Sequence, residues 1–229
     1  MFRRNWKNQM TSFEIRGGLV FLALYLLVFP RLNALAQQLL AGDGELPVAQ
    51  ANVIYYAILL VLLLLLLWRS LKEDLSGLFQ WLPENLLGIG VGLLAGGGLY
   101  FALKKLPFPV SDPISAQYAQ EFRLAPVPTL VLILVLIPLV EEMVYRGIFY
   151  GHLRAYSRPL AVVLCPLLYA LSLVWRYALE FADPRYLLLA LLYLPMSCAL
   201  TLCYENGGSV WGTALLHAGL NGATLMFAL

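Results

Sequence analysis

Apolar residues run in long, nearly unbroken stretches along this chain of 229 residues, and polar ones gather in the gaps between them. A helix needs ~20 mostly apolar residues to cross the hydrocarbon core of a bilayer. Seven stretches meet or approach that length: Gly17 to about Ala36, Ala51–Trp68, Leu86–Leu103, Val127 to about Tyr150, Pro159 to about Leu179, Leu187–Cys203 and Ser209–Leu229. The pattern predicts an all-α, polytopic transmembrane helical bundle of about seven spanning helices, within a range of six to eight. Residues 104–126 form the longest polar connection. Prolines interrupt it, and Ser115–Phe122 fits a short helix lying at the interface. No repeat or second domain is visible, so residues 1–229 read as a single membrane domain.

Composition agrees. Hydrophobic residues make up 61% of the chain and charged ones 12%, against about 25% charged in ordinary soluble domains. The mean hydropathy is +0.78. A net charge of +2 is too small and too dispersed to serve a nucleic-acid partner. The start, "MFRRNWKNQM", is basic, but no small-residue cleavage site follows the first apolar run, so this run reads as a retained helix rather than a signal peptide. The lipid bilayer is the expected surroundings, in a multi-pass protein of a prokaryotic inner or plasma membrane. Lys and Arg are slightly more numerous on the side of the N-terminus (Arg3, Arg4, Lys7, Arg16, Arg69, Lys72, Arg154, Arg158) than on the other. That bias places the N-terminus in the cytoplasm.

Glycines crowd the third span at Gly88, Gly90, Gly92, Gly96, Gly97 and Gly98, which points to close helix packing. They follow no phosphate-loop pattern, and no cofactor is expected. Cys165, Cys198 and Cys203 lie in apolar runs without CxxC spacing and read as small buried hydrophobes.

The stretch "LVEEMVYRG", residues 139–147, breaks the apolar pattern with three charges. A charge at mid-membrane costs about 2.5–3.5 kcal/mol on an insertion scale, so such residues face the bundle interior or a wet cavity. Glu142 and Arg146 are four apart on one helical face and can neutralise each other. Glu141 is turned ~100° away from Glu142 and does not share the arginine on the same terms. It is the candidate base. A purely structural ion-pair cluster would account for the same three residues.

Near the C-terminus, "LLHAGLNGATL" puts His217 and Asn221 one helical turn apart. A membrane histidine is often a packed core residue. Beside an asparagine on the same face, it also offers a proton carrier and an amide donor aimed at one point, which suits stabilising an oxyanion. On the proposed topology Glu141 lies roughly 13 Å, and His217 roughly 12 Å, from the same membrane surface at 1.5 Å per residue. The two sites share a depth.

"EEMVYR" fits the EExxxR motif and "HAGLN" the HxxxN motif of the CPBP family of intramembrane glutamic proteases, the CaaX-processing and bacteriocin-processing enzymes formerly called Abi. The chain resembles that family over residues 127–229, a catalytic core, whereas the helices of residues 1–126 carry no family motif. The resemblance implies a helical-bundle endopeptidase that cleaves a membrane-anchored protein or peptide substrate. It assigns Glu141 to activating water, Glu142 and Arg146 to holding the site, and His217 and Asn221 to the oxyanion, with no metal.

One motif departs. The family's middle FxxxH pattern falls on "CPLLYALSLVW", where Tyr169 fits the aromatic position and Leu173 stands in place of the histidine. The other histidine of the chain, His152, is expected in a loop beside the first motif. Ser172, Tyr169 or Trp175 could substitute in part by hydrogen bonding. The alternative is a non-catalytic relative that binds or scaffolds a membrane partner. A zinc protease, needing three protein ligands and favouring HExxH, and a transporter, needing repeat symmetry or paired broken helices, fit the residues less well.

Overall fold

The computed structural model describes residues 10–41 and 48–229, and these contain helices and no strand. The helices are α1 (Ser12–Leu27), α2 (Phe29–Ala41), α3 (Val48–Gln80), α4 (Leu82–Lys104), α5 (Pro113–Leu124), α6 (Pro126–Tyr156), α7 (Arg158–Glu180), α8 (Pro184–Gly207) and α9 (Val210–Ala228). Arg3, Arg4 and Lys7, which enter the charge-bias argument, lie outside the described residues.

Five helices, α3, α4, α6, α7 and α8, are long and apolar enough to cross a membrane, and α1 with α2 makes a sixth candidate if the bent pair counts as one span. The expected first span is therefore not one rod. It bends by 52° between Leu27 and Phe29, next to Pro30, which lacks the N–H that would continue the ladder. The expected seventh span is helix α9, whose apolar run is diluted by His217 and Asn221. The apolar exterior of the bundle, including Leu65, Leu94, Val127, Leu215 and Met226, is exposed as a lipid-facing surface would be. This is an integral, multi-pass membrane protein.

Helix α3 outruns its expected end at Trp68 by three turns. Ser70, Leu71, Asp74 and Gly77 keep a helical spacing and are buried, so the amphipathic segment stays helical where the apolar run stops. Its 33 residues span about 50 Å, well beyond a ~30 Å hydrocarbon core. The extension anchors both ends of the chain. Glu14, in a capping box with Thr11 at the start of α1, accepts from Ser70 N at 3.1 Å and Ser70 Oγ at 2.6 Å. Asp74 accepts from Ser209 Oγ at 3.0 Å and Val210 N at 2.9 Å, fixing the N-terminus of α9. Just before it, Gly208 ends α8 in the left-handed conformation (φ 64°), which allows the tight turn between the two helices.

Helix α6 is central: 61% of its apolar window is buried inside the bundle, against 17–44% for the other spans. Val140, Met143, Val144 and Ile148 on it pack into one core with Leu63, Leu67, Val174 and Leu216. The glycine-rich α4 lies against α8. A Cβ at Gly96 would stand 2.5 Å from the Ala199 Cβ, so only glycine permits that approach. The polar connection carries helix α5, capped by Asp112, which also accepts from Tyr193 at 2.7 Å.

Candidate active site

Helix α6 is not regular where it carries the charges. Leu132–Leu136 and Met143–Tyr150 are π-helical turns on either side of the segment Ile137–Glu142. The first has a local cause. In the π register the Ile137 N–H reaches back to the Leu132 carbonyl. The next carbonyl, Ile133, would receive the N–H of Pro138, which does not exist. Asn221 of α9 supplies the missing donor, its Nδ2 2.9 Å from Ile133 O. One amide hydrogen of the expected oxyanion residue therefore braces the backbone just before the glutamates. The expectation that His217 and Asn221 both aim at one point is corrected to that extent.

Glu142, Arg146 and His217 form one buried unit. Glu142 Oε1 accepts from Arg146 Nη1 at 3.0 Å and lies 2.8 Å from His217 Nδ1. Arg146 is fully buried. Its Nη2 donates to Ser197 O at 3.1 Å and Ser197 Oγ at 3.2 Å, and the guanidinium sits 4.6 Å from the centre of the Tyr169 ring. A buried arginine is tolerated on these terms: an opposing charge, extra acceptors and an aromatic face.

Glu141 keeps different company. Its Oε1 accepts from Tyr25 OH at 3.3 Å, its Oε2 from Tyr169 OH at 2.9 Å, and His217 Nε2 is 3.8 Å from that second oxygen. It also lines two cavities. A smaller one, about 70 Å³, presents a mostly apolar surface, with Tyr118, Tyr169, Tyr193, His217 and Asn221 among the polar residues on its wall. A larger one, about 280 Å³, is polar and carries Tyr25, Asn33, Gln37, Ser172, Trp175 and Arg176. Leu173 is on the wall of both.

The structure thus brings Glu141, Glu142, Arg146 and His217 together, with Asn221 on the wall of the smaller cavity. His152 lies in α6, not in a loop, and packs on Tyr156 at 5.1 Å away from the site. Ser172 accepts from Tyr145 OH at 2.6 Å and donates to Tyr169 O at 2.7 Å, so it supports Tyr169 rather than Glu141. Trp175 lines only the larger cavity. The three cysteines are free, with Cys165 and Cys203 buried. Among the described residues no group of three or more His, Cys, Asp or Glu side chains is arranged to hold a metal ion.

Two residues of the site went unnoticed in the sequence. Tyr25 belongs to the N-terminal helices that carry no motif, yet it reaches Glu141. Ser197 holds the arginine from α8. The only signal for either is a polar group inside an apolar run, "LALYLLV" and "LPMSCAL".

A multi-pass helical bundle with a carboxylate and an imidazole sharing an internal cavity defines a polytopic membrane protein with a buried polar centre. Residues 123–223 match the family described as Type II CAAX prenyl endopeptidase Rce1-like. That segment, which contains both motifs and Tyr169, is similar to the CAAX-type (CPBP) protease family. No curated protein and no solved structure matches the chain.

Proposed function

We propose that this protein is an intramembrane glutamic endopeptidase acting on a membrane-associated protein or peptide. The observation that carries this reading is the division of labour between adjacent glutamates. Glu142 is committed to Arg146 and His217, whereas Glu141 faces both cavities and lies 3.8 Å from the imidazole.

In this reading Glu141 takes a proton from water as the water attacks the scissile carbonyl, then returns it to the leaving amine. His217 Nε2 donates to the developing oxyanion, and the second N–H of Asn221 is the further donor on the same cavity wall. Glu142 fixes the imidazole through Nδ1, which leaves Nε2 for the reaction. Arg146 pairs with Glu142 and holds its carboxyl group in place.

Leu173 favours a second reading, a non-catalytic relative that grips a membrane partner, because an apolar side chain on both cavity walls carries no proton. One experiment separates the two. Wild type and Glu141→Gln, each reconstituted in lipid nanodiscs, are offered a fluorogenic prenylated CAAX peptide. The enzymatic reading expects cleavage by wild type and a loss on the order of 10²–10⁴-fold in a folded Glu141→Gln. Equal cleavage by both discards the glutamate mechanism. Binding by both with cleavage by neither supports the scaffold.

A further inference from the structure

The hydroxyl of Tyr169 lies 2.9 Å from Glu141 Oε2 and 3.1 Å from His217 Nε2. Each of these two gaps needs one hydrogen, and a phenol has one to give. The second hydrogen therefore comes from the glutamic acid or from the imidazole.

The far side of the imidazole restricts the choice. His217 Nδ1 faces Glu142 Oε1, an oxygen that already accepts from Arg146, so Nδ1 carries a hydrogen and donates. Two arrangements then complete the network. In one, Nε2 also carries a hydrogen, Tyr169 accepts from it, and Tyr169 donates to an ionised Glu141. In the other, Nε2 is bare, Tyr169 donates to it, and a protonated Glu141 donates to Tyr169. Both hold the same number of protons. They interconvert when the Nε2 proton passes to the tyrosine oxygen as the tyrosine's own proton passes to Glu141, and no charge leaves the cluster.

We propose that Tyr169 is a proton relay between His217 and Glu141, a positioning residue that sets which of the two holds the shared proton. The proposal rests on the reading of Glu141 as the base. The arrangement with ionised Glu141 is the one ready to accept a proton from water, and it leaves His217 as an imidazolium whose Nε2 hydrogen, held by Tyr169 at rest, is shared with the oxyanion when that forms. Direct exchange is poorly placed, since His217 Nε2 and Glu141 Oε2 are 3.8 Å apart. The tyrosine is held for the task. Its ring lies over Arg146 and packs edge-on against Tyr145 at 4.9 Å, and Ser172 donates to its carbonyl.

The other titratable groups around the relay are few. Glu142, Tyr145 and Arg146 face it from α6, and Cys165 lies on its own helix. Tyr25 of α1 donates directly to Glu141, and Tyr55 and Tyr56 of α3, Tyr118 of α5 and Arg176 of α7 line the larger cavity with it.

The test is Tyr169→Phe, which keeps the ring and removes the hydroxyl. Infrared spectra of nanodisc-embedded protein follow the Glu141 carboxyl band, identified by its loss in Glu141→Gln, across a pH titration. Nitrogen-15 NMR of labelled histidine follows His217. In wild type the two signals change together, as coupled groups do. In Tyr169→Phe they change at separate pH values, and prenylated CAAX peptide hydrolysis falls at least about tenfold in kcat with little change in KM.

Signals that separate no further in Tyr169→Phe than in wild type overturn the relay, whether or not activity falls. Should Tyr169→Phe not fold, trifluorotyrosine at 169 keeps the shape and acidifies the phenol. A moved titration then supports the relay and an unmoved one overturns it. Hydrolysis by Glu141→Gln would overturn the glutamate reading itself. An inactive Glu141→Gln beside an unaffected Tyr169→Phe overturns the relay alone.

Discussion

Glu142 and His217, 75 residues apart in sequence, meet at 2.8 Å through the same carboxylate oxygen that binds Arg146. A single oxygen thus ties the two motif-bearing helices together. Replacing Glu142 by Gln leaves a fully buried guanidinium without its counter-charge, and breaking a buried pair costs about 3–5 kcal/mol. Glu142→Gln should lower the thermal unfolding temperature in detergent or nanodiscs accordingly. Adding Arg146→Met should recover part of the loss, because the uncompensated charge goes with it. Single and double variants within about 1 kcal/mol of wild type would show that this pair does not hold the core.

Tyr25 donates to Glu141 from the first helix, across a long 3.3 Å hydrogen bond. Tyr25→Phe removes one donor and little packing, so a modest effect follows. Activity should fall roughly three- to tenfold, in line with a net hydrogen bond of about 0.5–1.5 kcal/mol, with stability nearly unchanged. Steady-state hydrolysis at fixed pH reads this, and an unaltered rate would remove the N-terminal helices from the site.

Gly96 and Gly98 offer a controlled pair on α4. Alanine at 96 puts its Cβ 2.5 Å from that of Ala199, and neither methyl can rotate away, whereas alanine at 98 meets nothing within 4 Å. Gly96→Ala should destabilise by about 1–3 kcal/mol as an overpacked contact. Gly98→Ala should be neutral or gain up to about 1 kcal/mol from helix propensity. Thermal unfolding of the two side by side is the check.

Glu121 on helix α5 of the polar connection is buried, and burial holds its carboxyl above the ordinary range even though Gln117 donates to it at 2.7 Å. A carboxyl raised in the folded state binds its proton more tightly there than in the unfolded chain. Stability is therefore lost as pH rises through that window. Glu121→Gln should be more stable than wild type at neutral pH, and the difference should shrink as acid protonates Glu121. A stability difference that grows on acidification would reverse the sign and refute this account.

The sequence carried the helical bundle well because lipid imposes an unambiguous signal, a run of apolar residues of fixed length. It carried the breaks poorly. The bend at Pro30 and the π-helical turn before Pro138 depend on where an unmade hydrogen bond finds its substitute, and at Ile133 the substitute comes from Asn221, 88 residues away. The end of α3 was misplaced because amphipathic helix follows apolar helix without a stop. At the site, one-turn spacing sufficed to pair Glu142 with Arg146 and to separate Glu141 from both. The same spacing could not show that Tyr25 and Ser197 would arrive from other helices, since a tyrosine or serine in an apolar run usually has a local partner. Tyr169 was visible only as an aromatic at a motif position; its bridging hydroxyl needed three helices in place.

Arg146 also has a bearing on how this protein is made. Its acceptors and its aromatic cover come from Tyr169 and Ser197, on helices that emerge from the ribosome after α6. Until those arrive, Glu142, one turn away, is the one of these partners that travels into the lipid with the arginine. Loss of the second glutamate of the motif should therefore be felt first in how much protein reaches the membrane.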